Sequence, residues 1–206
     1  MKEYLARLMF ENRGRYPDFL DWVERSARSE LWGIGIMSAY SVTPYACELQ
    51  GSKPGRFLKK PSEPGVNRQR YFLDDSQRII AELKYAKYLP KKGRWITYRN
   101  FFQHENEAVI EYDFDSEIDG SRVADLTCVS ITNFTAGSVT ESCALYANGN
   151  YIETNFHTIG DKEIHIAQKI WADTYTEREY EVVNRDEVVI VTELVGEKKV
   201  RIYPEK

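Results

Sequence analysis

Six carboxylates fall within the fourteen residues EAVIEYDFDSEIDG (107–120): Glu107, Glu111, Asp113, Asp115, Glu117 and Asp119. A cluster this dense can hold a hard cation, run acid–base chemistry, dock a basic partner, or be the wet side of a strand. The spacing Asp115-x-Glu117-x-Asp119-Gly120 follows the calcium-loop pattern D-x-[DN]-x-[DN]-G except at its second ligand. The twelfth position needs a bidentate Glu and holds Leu126, and the flanks alternate like strands. Calcium ligation is therefore not assigned. Strand alternation accounts for more of the pattern. Ala108, Ile110, Tyr112 and Phe114 fall on one side, and Glu107, Val109, Glu111, Asp113 and Asp115 on the other. The acidic side has one sign only, with no Lys or Arg between 100 and 121. It reads either as a solvated face or as a docking surface. As a docking surface its partner-binding residues are Glu111, Tyr112, Asp113, Asp115, Glu117 and Asp119, which combine steering charge with an aromatic anchor.

His157 and His165 flank Gly160-Asp161, a turn signal that would set them on neighbouring strands. With Glu153 or Glu163 nearby, such a pair suits zinc binding or acid–base work. Spacing fixes no third ligand, so no metal, cofactor or catalytic residue is assigned. Cys47, Cys128 and Cys143 lack metal or redox spacing and read as plain buried thiols. No G-x-S-x-G element and no Gly-rich phosphate loop occurs. KPGRFLKK (53–60) and KYAKYLPKKGRWITYR (84–99) interleave basic and aromatic residues, as single-strand nucleic-acid surfaces do. A sequence pI near 5.6 argues against that partner. The basic patch is alternatively an internal balance for the acidic strand.

At 206 residues the chain can bury a sizeable core. Its net charge of −4 is uneven: residues 1–70 carry +4 and residues 71–206 carry −8. Such asymmetry bears on partners and encounter rates, not on fold. MKEYLARLMFENR has no apolar run of signal-peptide type, so the expected compartment is the cytoplasm, with no membrane segment.

The elements that must position these residues follow from periodicity. Residues 2–11 read as a helix with Tyr4, Leu5, Leu8 and Met9 on one face, and RYPDFLDWVERSARSELW as a second, opened by Pro17 and Asp18. GIGIMSAYSV (33–42) reads as a strand. Residues 50–69, with three Pro and three Gly, read as a long basic loop. From residue 70 the period becomes two, with strands at about 70–74, 77–86, 94–103, 107–114, 122–134, 138–147, 150–158, 162–172, 175–184, 187–195 and 198–203. Asn148-Gly149, Asp119-Gly120, Gly160-Asp161, Asn184-Arg185-Asp186 and Gly196-Glu197 supply tight turns, which force antiparallel pairing. The expected fold is mainly β (α+β): a long antiparallel meander of about ten strands, closed or curled into a barrel-like sheet, with one or two N-terminal helices. A helical segment 1–49, the basic loop 50–69 and the meander 70–206 would form one domain. Closure is the first expectation, and a curled open sheet with the helices on one face is the second.

The stretch RYFLDDSQRIIAELKY (70–85) is similar to the Y-D-x-x-G-R-L hairpin element of bacterial Rhs toxins, with Gln77 in place of the Gly and Leu73 in place of the Tyr. More broadly, residues 70–203 resemble the small acidic cytoplasmic immunity proteins of contact-dependent and Rhs toxin systems. That resemblance implies a non-catalytic protein that neutralises a basic toxin domain through an acidic surface. The alternative is a lipocalin-like β-barrel holding a small apolar ligand, with Trp95, Phe101, Phe156 and Trp171 as lining.

Overall fold

A computed structural model of the chain describes residues 1–159, 163–185 and 188–204. Two helices come first, α1 (Lys2–Asn12) and α2 (Tyr16–Ser26). Leu5 and Met9, one turn apart, are buried under α1, and Tyr16, Leu20 and Val23 under α2. Gly14, at φ +76°, makes the corner between them, a conformation that disfavours a side chain.

The strands are β1 (Ser29–Ile34), β2 (Arg56–Phe57), β3 (Arg68–Leu73), β4 (Ile79–Leu89), β5 (Arg94–His104), β6 (Ala108–Ile118) and β7 (Leu126–Thr135). They continue as β8 (Ser138–Tyr146), β9 (Tyr151–Ile159), β10 (Glu163–Trp171), β11 (Tyr175–Arg185), β12 (Val188–Val195) and β13 (Lys198–Tyr203). All are antiparallel in one thirteen-stranded sheet of order β13 down to β3, then β1, then β2. Every strand expected from residue 70 onward is present. The Gly160-Asp161 turn, and Asp186 of the next, lie outside the described residues.

The sheet is curled and open. Strands β13 and β2 are its two edges and do not pair with each other, so the expected closed β-barrel is replaced by the curled form. No helix is long and apolar enough to cross a membrane among the described residues.

Residues 35–55 leave the sheet and pack back on it. The strand expected at 33–42 instead occupies Ser29–Ile34, and the chain leaves the sheet at Gly35. The Gln69 amide donates to Gly35 O and Met37 O, each at 2.9 Å, replacing the bonds a neighbouring strand would offer. Gly35 and Gly55 form the neck of this excursion. A Cβ on Gly35 would come 2.6 Å from Gly55 Cα, and one on Gly55 would come 2.6 Å from Met37 O. The expected loop at 50–69 contributes β2, which extends the sheet beside β1.

The excursion lies on the sheet's inner face. Near its start, Val42, Ala39 and Tyr40 pack with Tyr71, Leu73 and Phe102. Near its end, Tyr45 and Leu49 pack with Phe156, Ile166, Tyr180 and Val191. The helices cover the other face, where Leu5, Met9, Tyr16 and Leu20 meet Phe101, Ile110, Tyr112, Phe114 and Val129.

Candidate functional site

Cross-strand partners share a face, so pairing register organises side chains into rows. On the helix face one row runs Phe72, Ala81, Phe101, Tyr112, Val129, Leu145 and Tyr151, all apolar or aromatic. On the inner face the neighbouring row runs Tyr71, Glu82, Asn100, Asp113, Cys128 and Tyr146. Glu111 lies on the same face, its Oε1 accepting from Asn100 Nδ2 at 3.0 Å.

Three carboxyls therefore share the floor of the curl. Glu82 is 3% exposed, while Glu111 and Asp113 are half-buried. Ser38 Oγ donates to Glu82 at 2.8 Å, and the Tyr71 hydroxyl donates to it at 3.1 Å. Burial nonetheless pushes Glu82 up to about 7, with the Glu111 charge adding to it. Burial, then the charge of Asp113, raises Glu111 well above the carboxylate range. Burial lifts Asp113 to about 6, opposed by its bond with Glu111. Both carboxyls thus hold their protons to higher pH than a solvated carboxyl does, with burial the main cause in each. Asp113 Oδ1 is sealed from solvent and meets no fixed donor. Burial and the nearby acids also push Tyr40 and Tyr146 up to about 12. The row opens to solvent at Tyr146, which is 39% exposed.

No Lys, Arg or His ion-pairs with Glu82, Glu111 or Asp113 among the described residues. The nearby Lys84 donates instead to Ile36 O. This floor can exchange protons near neutral pH, and it can take up a positive charge.

The six residues expected as one acidic docking face are divided by the fold. Tyr112 is 2% exposed on the helix face, where Phe19 packs on it. Glu111 and Asp113 face inward under residues 35–55, and Asp115 is exposed. Glu117 is 4% exposed and ion-paired with Arg99 at 3.0 Å, with Asp119 at 3.8 Å from the same guanidinium. The cause is a bulge. Phe114 pairs with Arg99 and Glu117 with Thr97, three residues against two, so an extra residue returns Glu117 to the helix face. Part of the basic patch does balance the acidic strand, through Arg99, while Lys87, Lys91 and Lys92 are exposed around the β4–β5 turn.

The four aromatic residues expected around an apolar ligand do not meet. Trp95 packs with Trp32 and Tyr85, Phe101 lies under the helices, and Trp171 stacks near Tyr151 and Tyr175, all on the helix face. Phe156 is on the inner face with Ile166 and Tyr180. An open sheet with a filled inner face gives them no shared cavity. His157 and His165 do face each other across β9 and β10, and His165 lies 3.7 Å from Glu179. All three Cys are buried and free.

Sequence reading missed Glu82, Asn100 and Tyr146. A signal for Glu82 was present: an acid inside the apolar run IIAELKY is rarely left unpartnered in a core. A concavity of about 590 Å3 lies between α2 and the β3–β4 turn, lined by Arg15, Phe19, Trp22, Arg25, Arg78 and His104 among others. No protein-family model, curated protein or solved structure matches the chain.

Proposed function

We propose that the protein is a non-catalytic binding protein that accepts a cationic side chain, Lys or Arg, from a basic protein partner onto the half-buried inner-face carboxyls Glu111 and Asp113, with the buried Glu82 adding to the negative field beside them. The observation carrying this reading is that three carboxyls converge with no ion-paired cation among the described residues. Buried carboxyls without a counter-charge retain protons at a cost, and an incoming ammonium or guanidinium relieves it. A cation favours the ionised carboxylates, so binding strengthens as pH rises through about 6, where Asp113 gives up its proton. A basic toxin domain fits this partner class, in keeping with the resemblance of residues 70–203 to immunity proteins.

The test is peptide display from a random library against the folded full chain. Recovered peptides should be enriched in Lys and Arg for the wild type, and the enrichment should vanish for Glu111→Gln with Asp113→Asn. Equal recovery of neutral peptides by both proteins would overturn the reading.

A further inference from the structure

A second donor cluster lies on the helix-covered face, apart from the carboxyl row. Strands β8 and β9 place Cys143 directly opposite Glu153, with Glu141 two residues before Cys143 on the same face. One donor atom from each of the three lies within 4.8 Å of the others.

The thiol is what separates this cluster from an ordinary acidic patch. Cys143 has 0% exposure, yet its neighbours are two half-buried carboxylates rather than apolar groups alone. A thiolate there is repelled by both carboxylates, and the Tyr151 hydroxyl is the neighbouring donor to the sulfur. Neither Glu ion-pairs with a Lys, Arg or His among the described residues. Lys2 lies over the Tyr151 ring instead, 5.8 Å from its centre.

Outer groups hold the carboxylates in place. Asn133 Nδ2 donates to Glu141 Oε2 at 2.8 Å, leaving Oε1 available. Asn155 Nδ2 and the Tyr151 hydroxyl each reach Glu153 at 3.4 Å. Such outer-shell bonds orient metal ligands and fix which lone pairs face the ion.

We propose that Glu141, Cys143 and Glu153 bind a borderline divalent cation of the zinc type. The thiolate selects zinc over magnesium or calcium, and the two carboxylates bring the set to three protein ligands, leaving a position for solvent. Donors around a tetrahedral zinc lie roughly 3.5 Å apart, so the Glu side chains would close by about 1 Å, within their rotamer freedom. Binding removes the thiol proton, which leaves to solvent as the sulfur–metal bond forms.

Cobalt(II) is the probe, because thiolate ligation gives a charge-transfer absorption in the near ultraviolet. Titration of the full chain should give a saturable one-to-one band that zinc abolishes. Cys143→Ser should lose the band, and Glu141→Gln and Glu153→Gln should weaken binding tenfold or more. Absence of the band in folded wild type overturns the proposal, as does an equal band in Cys143→Ser, which would trace it to Cys47 or Cys128. Should Cys143→Ser not fold, by circular dichroism, Glu153→Gln decides alone, since it keeps all three thiols; unchanged cobalt affinity there overturns the site.

Discussion

Arg99 and Glu117 form an ion pair at 3.0 Å on the helix face, with side-chain exposures of 14% and 1%. The pair exists because the β6 bulge turns Glu117 away from the side taken by Glu111 and Asp113. Removing one partner strands a buried charge. Glu117→Gln should therefore destabilise the protein by about 3 kcal/mol, in urea unfolding at pH 7. A loss below about 1 kcal/mol, the level of a surface pair, would mean that the pair is hydrated.

The inner carboxyls predict an inverted pH profile. Each holds its proton to higher pH when folded than when unfolded, where carboxyls titrate near 4. Between that value and about 7, where folded Glu82 titrates, the native state binds more protons than the unfolded chain. Their contribution to unfolding free energy is then fully present below the window and falls as pH rises through it. Glu111→Gln removes one of the titrating groups, so this fall should shrink. Urea midpoints at pH 5, 6, 7 and 8 measure it, and an unchanged slope in the variant would remove Glu111 from the account.

The neck of the 35–55 excursion leaves no room for a methyl group. Gly55→Ala should cost about 2 kcal/mol, because the new Cβ meets backbone that cannot swing aside. Thermal melting of the variant checks this. A near-neutral result would show that the neck can widen.

Asp115 and Asp113 separate surface charge from inner-face charge. Asp115 is exposed, and Asp115→Lys should change stability by less than about 0.5 kcal/mol. It should also leave Lys and Arg enrichment in peptide display intact, whereas Asp113→Asn abolishes it. Loss of enrichment in Asp115→Lys would return the binding role to the outer acidic surface.

Much of the sheet was legible in the chain because the features that set it are local. Period-two alternation and turns such as Asn148-Gly149 specify β6 to β13 without reference to distant residues. The inner face was not legible for the opposite reason. Residues 33–42 alternate enough to pass for a strand, and only Gln69, Tyr71 and Glu82, far along the chain, hold residues 35–39 out of the sheet. Glu111 and Asp113 were read as solvent-facing because alternation assigns a side, not what covers it. Glu117 was assigned to their side because one added residue in a strand leaves no periodic mark.

Strand order has a consequence for how the chain reaches this form. From β3 to β13 each strand pairs with its sequence neighbours, so the sheet can lengthen hairpin by hairpin as the chain leaves the ribosome. The excursion cannot keep pace with it. Thr43 bonds Ser142, ninety-nine residues later, and the Tyr45 hydroxyl accepts from Asn184, one hundred and thirty-nine residues later. Ser38 can close on Glu82 early, but the rest of the segment, from Thr43 onward, must wait for strands made late.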